Sequence, residues 1–167
     1  MKRIERHDDQ ILLYLEPGEA GMLRSLPSRL QVLLRTGNPA TGALKRLFPQ
    51  DTEESDAHTR ELHHLMIEEL RQQRLQRIED FDQLLARAPA DGGCLVLATA
   101  AAEQWLALLT DMRLLLADQI GIENDQWRET VEPDKPMRRE TALYLYLSGL
   151  QSSLLEFGFG ISQHDCI

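Results

Sequence analysis

Residues 90–121 read ADGGCLVLATAAAEQWLALLTDMRLLLADQIG, and this stretch decides the fold. Its opening, Ala90 to Gly93, has the Asp and paired glycines of a turn. Cys94 to Leu97 is a short apolar run bounded by that turn, which predicts a strand. Thr99 is placed to cap a helix over about 100–121. Trp105, Leu108, Met112 and Leu115 recur at helical spacing and form its core stripe. Leu106, Leu109, Leu116 and Ile120 widen the stripe, as expected of the central, most buried helix. Gly121 is placed to end it as a C-terminal cap.

The same strand–cap–helix order stands upstream. Residues 2–6 and 11–15 flank the polar HDDQ and predict a β-hairpin. Pro17 and Glu19 then open a helix carrying Leu23, Leu26, Leu30 and Leu33. When Leu13 is laid on Leu95, Leu15 falls on Leu97, and the four leucines of the helix fall on Trp105, Leu108, Met112 and Leu115. Two strand–helix units side by side follow, with 94–97 joining the hairpin. A hairpin alone is marginal, and a third strand backed by helices gives its apolar face cover. Pro27 predicts a kink within the first helix, and Gly37-Asn38-Pro39 ends it.

A short helix over Thr41–Phe48 and the polar loop PQDTEESD come next. A long helix over about 56–88 follows, from Asp56 as N-cap to the stop at Pro89. Ile67, Leu70, Arg74, Ile78, Phe81 and Leu85 share one seam. Arg74 interrupts it, and the expected resolution is a packed stem whose head reaches an edge or a carboxylate. After the polar connection ENDQWRETVEPDKP, a last helix over about 136–157 carries Leu143, Leu147, Leu150 and Leu154. Tyr144, Tyr146 and Leu155 lie off that stripe and suggest a homodimer face. The fold class is α+β, mainly α: about five helices on a small antiparallel sheet. Residues 1–158 read as one globular domain and 159–167 as a mobile tail.

Composition narrows the function. The chain has 167 residues, 18 Lys and Arg against 27 Asp and Glu, and a formal net charge of −9. That balance disfavours non-specific attachment to phosphate backbones and anionic membranes. No apolar run is long enough to span a bilayer, and MKRIERHDDQ lacks the apolar centre of a secretory signal, so a cytoplasmic protein is expected.

The two cysteines, Cys94 and Cys166, are too few and too far apart for a disulfide scaffold or zinc site. They remain redox candidates. Cys94 reads as either a small buried hydrophobe or one end of a reversible bridge to Cys166. His164, if close, would favour the Cys166 thiolate.

Glu61 and His64 have the E-x-x-H spacing of iron-binding bundles, but in a single copy, so a solvated helix face is the simpler reading. Phosphate loops, nucleophile elbows and zincin motifs are missing from the sequence. Neither a cofactor nor catalysis is expected. The bases that could meet nucleic acid or a partner are Lys45, Arg46, Arg71, Arg74, Arg77, Arg138 and Arg139. On the long helix they are mixed with acids, as in ordinary surface pairing.

LEPGEAGMLRSL, LKRLFPQDTEESDAHTRELHHLMIEELRQQRL, WLALLTDMRLLLADQIGI and YLYLSGLQSSLL, in that order, resemble the actinobacterial family that includes the AosR-type oxidative stress regulator. The most specific pieces are R-L-F-P before an acidic loop and W-L-x-x-L-x-D-x-R-L. The resemblance implies a transcription-linked role under oxidative stress, with cysteine oxidation and a sigma factor or RNA polymerase as partner. Its members tend to be encoded near a Clp-protease adaptor and sulfur-assimilation genes, which implies cytoplasmic regulation. The leading expectation is therefore a regulator that binds another protein. A direct DNA-binding regulator is the alternative, and a metal-binding or catalytic bundle is a third class.

Overall fold

The computed structural model describes residues 3–52, 54–123 and 136–161. Strands β1 (Ile4–His7) and β2 (Gln10–Leu15) form the hairpin, turning at Asp8 and Asp9. Helices α1 (Glu19–Ser25) and α2 (Pro27–Thr36) follow, then a 3-10 turn at Gly42–Arg46. The long α3 (Ala57–Leu85) leads to β3 (Gly93–Ala98) and directly into α4 (Thr99–Ile120). Helix α5 (Arg139–Ser153) closes in a wide π-type turn at Leu154–Gly158. The architecture is α+β and mainly helical, on a three-stranded antiparallel sheet of order β1-β2-β3.

Period-two alternation sorts the sheet into two faces. Ile11, Leu13 and Leu15 of β2 point into the core with Leu95 and Leu97 of β3, and Leu13 stands opposite Leu95. Leu12, Tyr14, Cys94 and Val96 fall on the other face. This parity overturns the reading of Cys94 as a buried hydrophobe, because its side chain is exposed. Among the core aromatics, Phe81 of α3 meets Trp105 of α4 with ring centroids 4.5 Å apart.

Three local expectations change. Pro27 divides the first helix in two rather than bending it: Leu26 keeps helical angles, and Pro27 starts α2 where its missing N–H costs nothing. Leu23 and Leu30 of the expected stripe are buried, while Pro27 and Leu34 are buried more deeply than Leu26 and Leu33. Thr99 is the first residue of α4, not its cap. Its N–H and Oγ1 both donate to the Asp9 carbonyl, at 3.1 and 3.0 Å, which ties the start of α4 to the hairpin turn. The helix over Thr41–Phe48 is a 3-10 turn of five residues.

Other terminal signals act as expected. Asp56 caps α3 by accepting from the Thr59 N–H at 2.7 Å. Gly121 ends α4 in the left-handed region at φ 73°. Arg6 donates to the Gly158 carbonyl at 3.4 Å, and Phe159 packs against the core. Residues 162–167, including Cys166, lie outside the described residues.

Candidate functional site

Three of the four arginines of α3 are drawn inward. Arg71, Arg74 and Arg77 keep only 15%, 16% and 18% of their side chains exposed. Arg71 donates to the carbonyls of Leu34 and Gly37, the open C-terminal end of α2, where a cation also meets the negative end of the helix dipole. Arg74 donates to the Leu47 carbonyl at 2.8 Å and lies over the Phe48 ring, 5.0 Å from its centroid. Arg74 and Arg77 both reach the Asp111 carboxylate of α4, each at 3.2 Å.

Asp111 is buried. Burial pushes its carboxyl above the usual range, against the opposing pull of Arg74 and Arg77. This row of three cations fastens α3 to α2, the 3-10 turn and α4. The packed stem expected for Arg74 is present, and the carboxylate its head finds is Asp111.

The other candidate bases face outward. Lys45 and Arg46 are exposed on the 3-10 turn, and Arg46 pairs with Asp118 of α4 at 3.4 Å. Arg138 and Arg139 are exposed at the start of α5. Arg139 stands at the rim of a groove of about 260 Å³ where the α1–α2 junction, α4 and α5 meet. The floor is apolar: Leu26, Met112, Leu115, Leu116, Leu143 and Leu147. Arg29 of α2 stands at the rim with Arg139, and Glu140 lies beside them. Leucine and methionine floors take varied apolar surfaces, while the guanidinium forks recognise carboxylates. A roomier cleft of about 570 Å³ between α2 and α3 has no comparable floor. The Arg24–Asp82 ion pair, 2.8 Å long, contributes both its side chains to that cleft's lining.

Nothing gathers around the other candidates. Glu61 and His64 are exposed on α3, and no group of three or more His, Cys, Asp or Glu among the described residues could hold a metal ion. Cys94 pairs in register with Tyr14 on the outer face of the sheet. Although the Cys94 side chain is exposed, its partial desolvation at the sheet surface, and then the nearby Glu5 carboxylate, push the thiol above the usual range, which disfavours the reactive thiolate. Tyr144 and Tyr146 face arginines within the chain. Arg113 donates to the Tyr144 hydroxyl at 3.3 Å, and Arg3 donates to the Tyr146 hydroxyl at 2.8 Å.

Asp111, Arg29 and the triad of Arg3, Glu19 and Tyr146 escaped the sequence reading. Asp111 had a signal: it is a lone carboxylate on the buried stripe of an apolar helix, and Arg74 is a lone cation on a buried seam. Each explains the other. Arg29 had none, because most of its neighbours in the groove come from α4 and α5.

The family model described as a domain of unknown function, DUF2017, matches residues 1–157. No curated protein and no solved structure gives a significant match. The chain therefore belongs to the DUF2017 family.

Proposed function

We propose that this member of the DUF2017 family is a regulatory protein that captures an acidic, apolar segment of a transcription protein in the α2–α4–α5 groove. One observation carries the reading: an apolar floor with Arg29 and Arg139 at its rim, on a chain whose net charge is −9. A local pair of guanidinium groups on an acidic protein selects carboxylates while its overall field repels nucleic acid. The likeness to the AosR-type oxidative stress regulator supplies the partner class, a sigma factor or RNA polymerase, and a cytoplasmic setting. Among the described residues no helix is long and apolar enough to cross a membrane.

Direct DNA binding is the weaker reading. Of the candidate bases, Arg71, Arg74 and Arg77 are committed within the chain and Arg46 pairs with Asp118, which leaves Lys45, Arg138 and Arg139 to meet phosphates. The raised thiol of Cys94 likewise gives no support to that residue as a fast peroxide sensor by itself.

The test is calorimetric titration of the purified protein with the sigma factors and RNA polymerase core of its source organism. Leu143→Glu and Arg139→Glu should each weaken binding about tenfold or more, since a buried charge or a lost guanidinium contact is costly at an interface. Far-UV circular dichroism should stay unchanged. Absence of binding by the wild type, or unaltered affinity in both variants, would sink the proposal. A salt-sensitive shift of duplex DNA, lost in an Arg138→Glu/Arg139→Glu variant, would establish the DNA reading instead.

A further inference from the structure

The first three turns of α3 use only one side against the body. His63 Nε2 lies 3.0 Å from the Pro49 carbonyl oxygen, and the first buried residue of the helix is Ile67. On the other side Leu62, Leu65 and Met66 are 53%, 59% and 41% exposed. At about 100° per residue, Leu62 and Leu65 point roughly 140–160° away from Ile67. They therefore take no part in the seam of Ile67, Ile78, Phe81 and Leu85 that binds α3 to the core.

His58 and Glu69, also exposed, continue the outward stripe at both ends. The stripe is His58, Leu62, Leu65, Glu69, with steps of four, three and four residues. This spacing is the same read in either direction, and it is the alternation with which paired helices interlock. Its chemistry is opposite at the two ends, a hydrogen-bonding imidazole at one and a carboxylate at the other.

We propose that two copies of the chain associate through this stripe, α3 against α3, antiparallel about a two-fold axis passing between His63 and His64. Leu62 then meets Leu65 of the second copy, and His58 meets Glu69 of the second copy, each pair occurring twice. Met66 packs at the margin, where it faces Glu61 of the second copy. A parallel arrangement would set Glu69 against Glu69 and is disfavoured by that repulsion. The contact is isologous, as a closed dimer requires. Four leucines and two methionines cover less than a standard interface of about 1,200–2,000 Å², so the dimer is weak and reversible.

Sedimentation velocity on the full chain, from low micromolar to several hundred micromolar, reads the association directly. The wild type should move toward the dimer as concentration rises. Leu65→Glu should weaken association about tenfold or more. His58→Glu should also weaken it, and His58→Glu/Glu69→Lys should recover it by setting a carboxylate against an ammonium group. Leu143→Glu, in the separate groove, should associate as the wild type does. All these positions except Leu143 are exposed, and circular dichroism verifies that each variant folds. A wild type that stays monomeric throughout, a Leu65→Glu variant that associates normally, or loss of the dimer in Leu143→Glu would overturn the proposal.

Discussion

Asp111 is the one charged side chain among the buried residues described, and it meets two cations. It is buried on α4 and receives Arg74 and Arg77 from α3. Burial raises its carboxyl pKa even with both cations present, because desolvating a carboxylate is costly. Removing one partner of such a pair leaves the others buried and uncompensated. Asp111→Ala should therefore destabilise the protein by about 3–5 kcal/mol in urea unfolding. Asp111→Asn retains an acceptor for the guanidinium groups and should cost clearly less. Equal losses in the two variants would show that the packing of the side chain, not its bonding, matters at this position. The pairing was half-legible in the sequence: Arg74 stood out on its seam as a cation in need of a partner. Which of 27 acids answered it depended on how α3 crosses α4.

At the scale of elements, α2 ends against two neighbours at once. Arg71 takes its last carbonyls, and Gly37 lies directly over Leu33 and Leu44. A Cβ on Gly37 would meet the Leu33 carbonyl oxygen at 2.5 Å and press on the Leu44 side chain. The φ of Gly37 is −82°, so the conflict is one of space and not of backbone conformation. Gly37→Ala should lower stability by about 1–3 kcal/mol, as overpacking does. A melting temperature equal to that of the wild type would mean that the 3-10 turn shifts away freely. The Gly-Asn-Pro stop of this helix was readable from residue types alone, because the physics of a helix end is local. The same holds for the Asp56 cap and the Gly121 terminus. Thr99 was misjudged as a cap because its hydroxyl has a stronger claim on it, the Asp9 carbonyl at the tip of a distant hairpin. On α1 and α2, Leu23 and Leu30 are buried as their spacing predicts, but Pro27 and Leu34 are buried more deeply than Leu26 and Leu33, because the neighbouring elements decide which edge of an apolar stripe is covered most.

Across the whole molecule, the Arg3–Glu19–Tyr146 triad joins the beginning of the chain to its last helix. Arg3 precedes β1, Glu19 opens α1, and Tyr146 lies on α5. Arg3 donates to Glu19 and to the Tyr146 hydroxyl, and that hydroxyl donates to Glu19. The Arg3 guanidinium also lies over the Tyr146 ring, 5.2 Å from its centroid. Burial, and then Glu19, push the Tyr146 hydroxyl up, so it stays protonated and able to donate. Tyr146→Phe keeps the ring and removes the two hydrogen bonds. The expected loss is about 1–2 kcal/mol, modest because Arg3 is partly open to water. Hydrogen exchange should quicken at β1 and α1 together. Exchange confined to α5 would show that the triad does not couple these elements.

Short apolar runs at Ile11–Leu15 and Cys94–Leu97 bounded by turn residues, helical spacing along α3 and α4, and the ends at Asp56 and Gly121 determined the α+β class, because each depends on neighbours within a few positions. Tertiary structure alone decided which bases face solvent, which carboxylate receives Arg74 and Arg77, and where Leu26, Met112 and Leu143 enclose a groove beneath Arg29 and Arg139. Those outcomes depend on crossing angles between elements far apart in the chain. A crossing angle is set by the summed packing of many side chains, so no short stretch of sequence encodes it.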